Sequence, residues 1–240
     1  MGIDAHSNAP ASNTGNVWVI VPAYGEAEAI GDVVAGLRSV FSHVVCVDDG
    51  SPDDTAAIAL RAGAHVVRHP VNLGQGAAIQ TGVEYARRQD GAAVFATFDA
   101  DGQHRVADLV AMVDRLARGD VDIVIGTRFA GSAVNHTPAS KRLVLRTAAW
   151  LSPSSRRLGL TDAHNGLRVF NRTVADNLTL TMSGMSHASE FVALIDENGW
   201  RVAEQPVEIL YTDYSMSKGQ PLLNGVNIVF DGFLRGRMRR

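Results

Sequence analysis

Apolar residues follow two alternating rhythms along this chain. Short runs with little polar interruption are rich in Val, Ile and Phe: "VWVIVPAY" (17–24), "HVVCVDDGS" (43–51), "AHVVRH" (64–69), "AAVFATFDAD" (92–101) and "VDIVIGTRF" (121–129). Each predicts a buried strand. Between them, residues 26–41 place Ile30, Val33, Val34, Leu37 and Phe41 at helical spacing. Ser51 as N-cap and Pro52 at the first helical position predict a helix running through Ala62. Residues 72–89 read as a Gly-rich turn entering a helix, and 106–119 as a further helix. Strands apolar on both faces and alternating with helices predict an α/β fold built on a mostly parallel, Rossmann-like sheet flanked by helices.

After residue 130 the rhythm weakens. A helix-like stretch carries Lys141, Arg142 and Arg146. A loop and short strand follow over 162–172, then a helix over 189–199 ended by Gly199, and a last strand pair over 200–212 broken by Pro206. No repeat or linker divides the chain, so one catalytic-size domain is expected over 16–220. The Ser-, Asn-, Gly- and Ala-rich residues 1–15 read as a disordered leader.

Sheets of this kind bind ligands beyond the carboxyl ends of their strands. Here those ends carry Pro22-Ala23-Tyr24-Gly25-Glu26, Asp48-Asp49-Gly50-Ser51, Asp99-Ala100-Asp101 and Gly126-Thr127-Arg128. On a strand extension Asp99 and Asp101 would share one face. Two carboxylates so close repel and lose hydration unless a positive group joins them. Hard oxygens on one face suit Mg²⁺ or Mn²⁺, which leave coordination positions for water and substrate phosphates. The plainer alternative is a solvated acidic turn with Asp99 capping the next helix. Asp48-Asp49 has similar alternatives: a carboxylate for a base or ribose hydroxyl, or a capped turn. Gly74-Gln75-Gly76 either brings backbone amides to a ligand or makes a tight turn.

Composition narrows the field. The 240 residues are 46% hydrophobic and 20% charged, and the net charge of −3 argues against a generic nucleic-acid binder. Cys46 is the sole cysteine, so neither an internal disulfide nor a Cys-based zinc site is available, and it reads as a buried strand thiol. No stretch reaches the roughly 18 apolar residues that span a bilayer. The N-terminus lacks the basic start and apolar core of a signal peptide, and His6 stands where a myristoylation site needs Ser or Thr. The cytoplasm is therefore the expected compartment.

The segments "VIVPAYGEAEAI", "VVCVDDGSPDDT", "NLGQGAAIQTG", "FDADGQH" and "VIGTRF" have the order and spacing of family 2 glycosyltransferases. Over roughly residues 17–215 the chain most resembles the polyprenyl-phosphate, dolichol-phosphate mannose synthase-like branch. The resemblance implies a GT-A fold, a UDP- or GDP-hexose donor, a Mg²⁺ or Mn²⁺ cofactor, and inversion at the anomeric carbon. By this likeness Pro22, Ala23, Tyr24, Glu26, Asp49 and Gly74 serve the nucleoside side of the donor. Asp99, Ala100, Asp101 and Gln103 form the metal and diphosphate segment, with Asp99, Asp101 and Gln103 as metal triad. Arg128, Arg142, Arg168, Ser217 and Lys218 become phosphate- or acceptor-binding candidates. Asp101, Arg128 and Glu190 become the catalytic ones. Three departures stand out: Gln75 where Lys is frequent, Leu167 for the usual Phe, and Thr212-Asp213 without the expected Arg. The departures at Gln75 and Asp213 keep a catalytically inactive binding partner among the alternatives.

The acceptor decides the chemistry. A polyprenyl phosphate arrives already ionised and needs only cations to hold it, for which Arg128, Arg142 and Lys218 are available. A glycan or small-molecule hydroxyl needs a carboxylate base, with Glu190 first and Asp162 behind it. His164 and His187 read as polar loop residues. Residues 221–240 combine Leu222, Leu223, Val226, Val229, Phe230, Phe233 and Leu234 with Arg235, Arg237, Arg239 and Arg240. That basic amphipathic helix suits an anionic membrane surface, or else packs on its own domain or in a homodimer.

Overall fold

Val17–Ala23, the first apolar run, forms β1, an interior strand of a seven-stranded sheet in the computed structural model, which describes residues 14–129, 153–162, 165–182 and 186–210. The other strands are β2 (His43–Asp48), β3 (His65–Arg68), β4 (Val94–Thr97), β5 (Ile123–Thr127), β6 (Arg168–Asn171) and β7 (Val202–Pro206). Described helices are α1 (Ile30–Arg38), α2 (Thr55–Arg61), α3 (Gln75–Arg87), α4 (Val106–Ala117), α5 (Pro153–Arg157), α6 (Arg172–Asn177) and α7 (Ser186–Asn198). The sheet order is β3-β2-β1-β4-β6-β5-β7. All neighbours are parallel except β6, which runs antiparallel to both β4 and β5.

Side-chain alternation along β1 divides the core into two layers. Val17, Val19 and Val21 join Ile30, Val34 and Leu37 of α1 and Leu109, Met112 and Leu116 of α4. Trp18 and Ile20 join Ala78, Ile79 and Val83 of α3 and Phe191, Val192 and Ile195 of α7. Helix α3 lies so close to β1 that a Cβ on Gly82 would stand 2.3 Å from Ile20 Cγ2. Gly82→Ala is therefore expected to destabilise the fold by about 1–3 kcal/mol through overpacking. A lowered urea midpoint at unchanged slope would register it. Cys46 is fully buried in β2, and burial together with the Asp48 charge pushes its thiol up to about 12, so it is chemically quiet.

Several boundaries differ from expectation, each for a local reason. Helix α2 starts at Thr55 rather than Pro52, because Asp53 Oδ1 accepts the Thr55 N–H at 3.1 Å. Ser51 caps no helix; its hydroxyl accepts the Gly25 N–H and its own N–H goes to Asp48 Oδ1. Strand β4 stops at Thr97, and the chain then turns through Gly102 at φ +74°. Asp99 and Asp101 thus lie on a turn and not on one strand face. The expected terminal strand pair is a single strand, β7, ending at Pro206, followed by a bridge between Ile209 and His104. Thr14–Asn16 form a 3₁₀ turn. Residues 1–13, the segment with Arg142, His164, and residues 211–240 with Ser217, Lys218 and the expected basic helix lie outside the described residues. No described helix is long and apolar enough to cross a membrane.

Because β6 is inserted antiparallel, its amino end meets the carboxyl ends of its neighbours. Arg168 pairs in register with Thr97 of β4 and Ile125 of β5. The strand thereby delivers Asn165, Gly166 and Arg168 to the same rim as the acidic loops.

Candidate active site

Loops after β1 and β2 form one wall of the rim. Pro22 and Ala23 are buried at the end of β1, while Tyr24 is half exposed. Gly25 turns at φ +66°, and its N–H reaches Ser51 Oγ at 3.0 Å. The Glu26 N–H reaches Thr55 Oγ1 at 2.9 Å, tying this loop to α2. Asp49 is buried and engaged by the chain itself. Its Oδ1 accepts the Leu73 N–H at 2.9 Å and faces His69 Nδ1 at 2.7 Å, and its Oδ2 accepts the Gly74 N–H at 2.7 Å. His69 in turn faces Thr81 Oγ1 at 2.9 Å through Nε2. Asp49 thus fixes the 69–74 loop, and any base or ribose contact would have to share its oxygens. Gly50 permits this closeness: a Cβ there would stand 2.7 Å from the Val71 carbonyl carbon, at φ +76°.

The β4–α4 turn forms the floor. Asp99 Oδ1 accepts from Gln75 Nε2 at 3.2 Å, and Oδ2 faces His104 Nε2 at 3.0 Å. Gln75 therefore reaches the acidic turn from the position where a lysine is frequent. Burial pushes the Asp99 carboxyl up. The His104 hydrogen bond and the charges of His104, Arg168 and His187 outweigh burial and hold it below the usual carboxylate range. Asp101 behaves oppositely: burial first, then the neighbouring Asp99 charge, push it up to about 6. Its Oδ1 accepts the Gln103 N–H at 3.0 Å, and Gln103's carbonyl accepts from Leu210. Ala100, between the two, is buried. The positive charges of His104, Arg168 and His187 thus act on Asp99 from within the chain, while Asp101 feels the His104 charge but forms no ion pair among the described residues.

The far wall comes from β5, the segment before β6, and α7. Arg128 is clamped by Asp162, with Nε to Oδ2 and Nη2 to Oδ1 both at 2.6 Å. This bidentate geometry is the strong form of the pair. Arg168 does not stand on the surface. It is fully buried, its guanidinium carbon lies 4.8 Å from the Phe191 ring centre, and burial lowers it to about 10 against the pull of Asp99 and Asp162. Glu190 on α7 accepts from the Thr181 N–H, the Thr181 hydroxyl and the Met182 N–H at 2.6–3.0 Å, anchoring the preceding loop.

Two residues escaped the sequence reading as site members. His104 is buried against Asp99 and Phe98. It stands in "FDADGQH", five positions after Asp99, so the motif itself held the signal. His187 is also buried, in the first turn of α7, not on a loop. A Cβ on Gly76 would stand 2.8 Å from His187 Cβ. No local pattern could have brought it there from so far along the chain.

The donor set suits a hard divalent ion. Asp101 sits at the rim with the negative charges of Asp99 and Glu26 near it. Among the described residues no three His, Cys, Asp or Glu side chains are arranged to hold an ion by themselves. An ion at Asp101 would therefore complete its shell with water and substrate phosphate oxygens, as Mg²⁺ and Mn²⁺ commonly do.

Comparison with known proteins agrees with this geometry. The sequence model for glycosyl transferase family 2 matches residues 18–179. The chain is 26% identical over 235 residues to a UDP-N-acetylglucosamine–dolichyl-phosphate N-acetylglucosaminyltransferase of Methanococcus voltae, covering 89% of this chain and 93% of that one. It is 28% identical over 241 residues to the polyprenol monophosphomannose synthase of Mycolicibacterium smegmatis, covering 95% and 90%. In fold it is similar to the glucosyl-3-phosphoglycerate synthase of Mycobacterium tuberculosis, crystallised with Mn²⁺, uridine diphosphate and glucosyl-3-phosphoglycerate. The TM-score is 0.71 at 18% identity over 92% of this chain and 79% of that one. The parallel sheet, its inserted antiparallel strand and its acidic rim are thus a GT-A scaffold, and the chain belongs to glycosyl transferase family 2.

Proposed function

We propose that this glycosyltransferase moves a hexose, with inversion and with Mg²⁺ or Mn²⁺, from a nucleoside diphosphate sugar to a polyprenyl phosphate. The carrying observation is the unequal acidic pair: Asp99 is engaged at both oxygens by Gln75 and His104, and Asp101, crowded by the Asp99 charge, has no ion-pair partner among the described residues. Asp101 holds the ion, with Gln103 beside it, and Asp99 and Ala100 shape the turn that carries it. Pro22, Ala23, Tyr24, Glu26, Asp49 and Gly74 bound the nucleoside. The bound ion supplies Lewis-acid stabilisation of the departing diphosphate. The remaining work is positioning: the rim aligns the acceptor oxygen behind the anomeric carbon.

The lipid-phosphate acceptor is favoured over a hydroxyl acceptor by what the two candidate bases are doing. Glu190 accepts from three donors of the loop that precedes its helix, and Asp162 holds Arg128 with both oxygens. A phosphate oxygen is ionised on arrival and asks for no base. Both relatives described above are named for polyprenol- or dolichyl-phosphate acceptors. Arg142, Ser217 and Lys218 are assigned to hold the acceptor phosphate, with Arg128 presented by its Asp162 clamp. Residues 221–240 are assigned to an anionic membrane surface, placing the enzyme peripherally at a cytoplasmic face.

A panel of UDP- and GDP-hexoses with Mg²⁺ or Mn²⁺ tests the reading. Nucleoside diphosphate release is expected with one donor, to depend on the ion, and to rise at least about tenfold when polyprenyl phosphate is added. The product should be a phosphodiester-linked glycolipid labile to mild acid. Transfer to a hydroxyl, giving an acid-stable glycoside, refutes the acceptor assignment.

A further inference from the structure

Arg168 is the bulkiest of the fully buried side chains, and none of its three guanidinium nitrogens has a hydrogen-bond partner among the described residues. Removing a cation from water without compensation is costly, so its charge must be balanced by other means. Two carboxylates supply that balance, Asp99 and Asp162. Neither gives it a hydrogen bond. Asp99 is engaged by Gln75 and His104, and Asp162 by Arg128. The Phe191 ring covers the guanidinium at 4.8 Å. The backbone explains the sharing. Arg168 is in register with Thr97, two residues before Asp99, and with Ile125, three residues before Arg128. Charges therefore alternate beneath the rim in the order Arg128, Asp162, Arg168, Asp99.

We propose that Arg168 is a positioning residue: a single internal counter-ion shared by the Asp99 turn and the Arg128–Asp162 clamp, so that a change at either carboxylate is felt at the other. It touches no ligand. Calling the two sides donor and acceptor rests on the function proposed above, but the sharing itself does not. With one carboxylate neutralised, the other still balances the guanidinium; with both neutralised, a bare cation is left in the core.

A mutant cycle tests this. Urea unfolding is measured for D99N, D162N and D99N/D162N, each with Arg168 and with R168M. With Arg168 present, the double variant is expected to lose at least about tenfold more in the folding constant than the two singles combined. That excess should vanish in R168M and persist in R168K, which keeps the charge. If D99N/D162N does not fold, adding R168M should restore a cooperative transition. Additive losses, or a double variant that R168M fails to rescue, overturn the proposal. A second arm measures Mn²⁺-dependent affinity for UDP and GDP by calorimetry. D162N should weaken it at least about threefold with Arg168 and leave it unchanged in R168M. Equal weakening in both backgrounds overturns the coupling. If the unaltered protein binds neither diphosphate, the proposed function fails instead, and the unfolding cycle alone decides the sharing.

Discussion

Asp101→Asn is expected to abolish sugar transfer and, at the same time, to make the ligand-free protein more heat-resistant. The first effect follows from loss of the rim carboxylate that would carry the ion, which should lower turnover by at least about 100-fold. The second follows from the environment of the carboxyl. Folding raises it from 3.8 to about 6, through burial and the Asp99 charge. The folded protein therefore binds its proton more tightly than the unfolded chain. Stability declines as pH rises through that interval, and the deficit is complete above it. At 1.36 kcal/mol for each unit of displacement, the deficit is up to about 3 kcal/mol. Asparagine keeps the short side chain and the oxygen that accepts the Gln103 N–H, but carries no charge. With about 2–4 °C for each kcal/mol in a chain of this size, the variant should melt at least about 4 °C higher near pH 7.5. Near pH 4 the advantage should shrink towards zero, because the wild-type carboxyl is then protonated. Melting curves at the two pH values, without metal, decide it. A variant less stable than wild type at both would mean that the turn depends on the charge.

Gly166→Ala should be almost as damaging to catalysis, through a single methyl group. A Cβ at residue 166 would stand 2.2 Å from Asp99 Oδ2 and 2.7 Å from its Oδ1 and Cγ. Asp99 cannot swing aside freely, because His104 and Gln75 hold its two oxygens. The turn carrying Asp101 must then shift. A displacement of about 1 Å in a positioned group costs on the order of 100-fold in rate. We expect kcat/KM to fall by about that factor while the circular dichroism spectrum stays native. The diagnostic is non-additivity. In an Asp99→Ala background the methyl has room, so adding Gly166→Ala should cost little further rate. Multiplicative losses in the double variant would show that Gly166 acts elsewhere.

Much of this architecture can be read from the sequence because its determinants are local. Val17–Ala23 is apolar at every position, so it had to be buried on both faces, and the period of two then sorts Val19 from Ile20 into separate layers. Helix α4 shows its stripe at Leu109, Met112 and Leu116. The acidic rim follows from where such strands end. What the sequence hides is whatever depends on non-local pairing. Nothing in "LRVFNR" states that it runs antiparallel between β4 and β5. An arginine in this motif reads as a phosphate-binding cation, yet Arg168 is fully buried, with the charges of two carboxylates from other loops acting on it. Glu190 and Arg128 were legible as charged residues near the site. Asp162 was legible too, but as a base and not as the partner of Arg128, and nothing local pointed to Thr181 and Met182 as partners of Glu190. Asp99 and Asp101 were correctly placed together, but on a turn rather than a strand face, since β4 closes at Thr97.

The inserted strand also sets an order of assembly. β4 and β5 are consecutive in sequence yet never touch in the sheet, since β6 separates them. A nascent chain can complete the β3-β2-β1-β4 half from residues that emerge early. β5 must then wait, unpaired, until β6 has been synthesised and threaded between. Until that moment the outer edge of β4 presents open amides and carbonyls to any passing strand. That edge stays open from the translation of Thr97 until Asn171 completes β6, the piece that covers it.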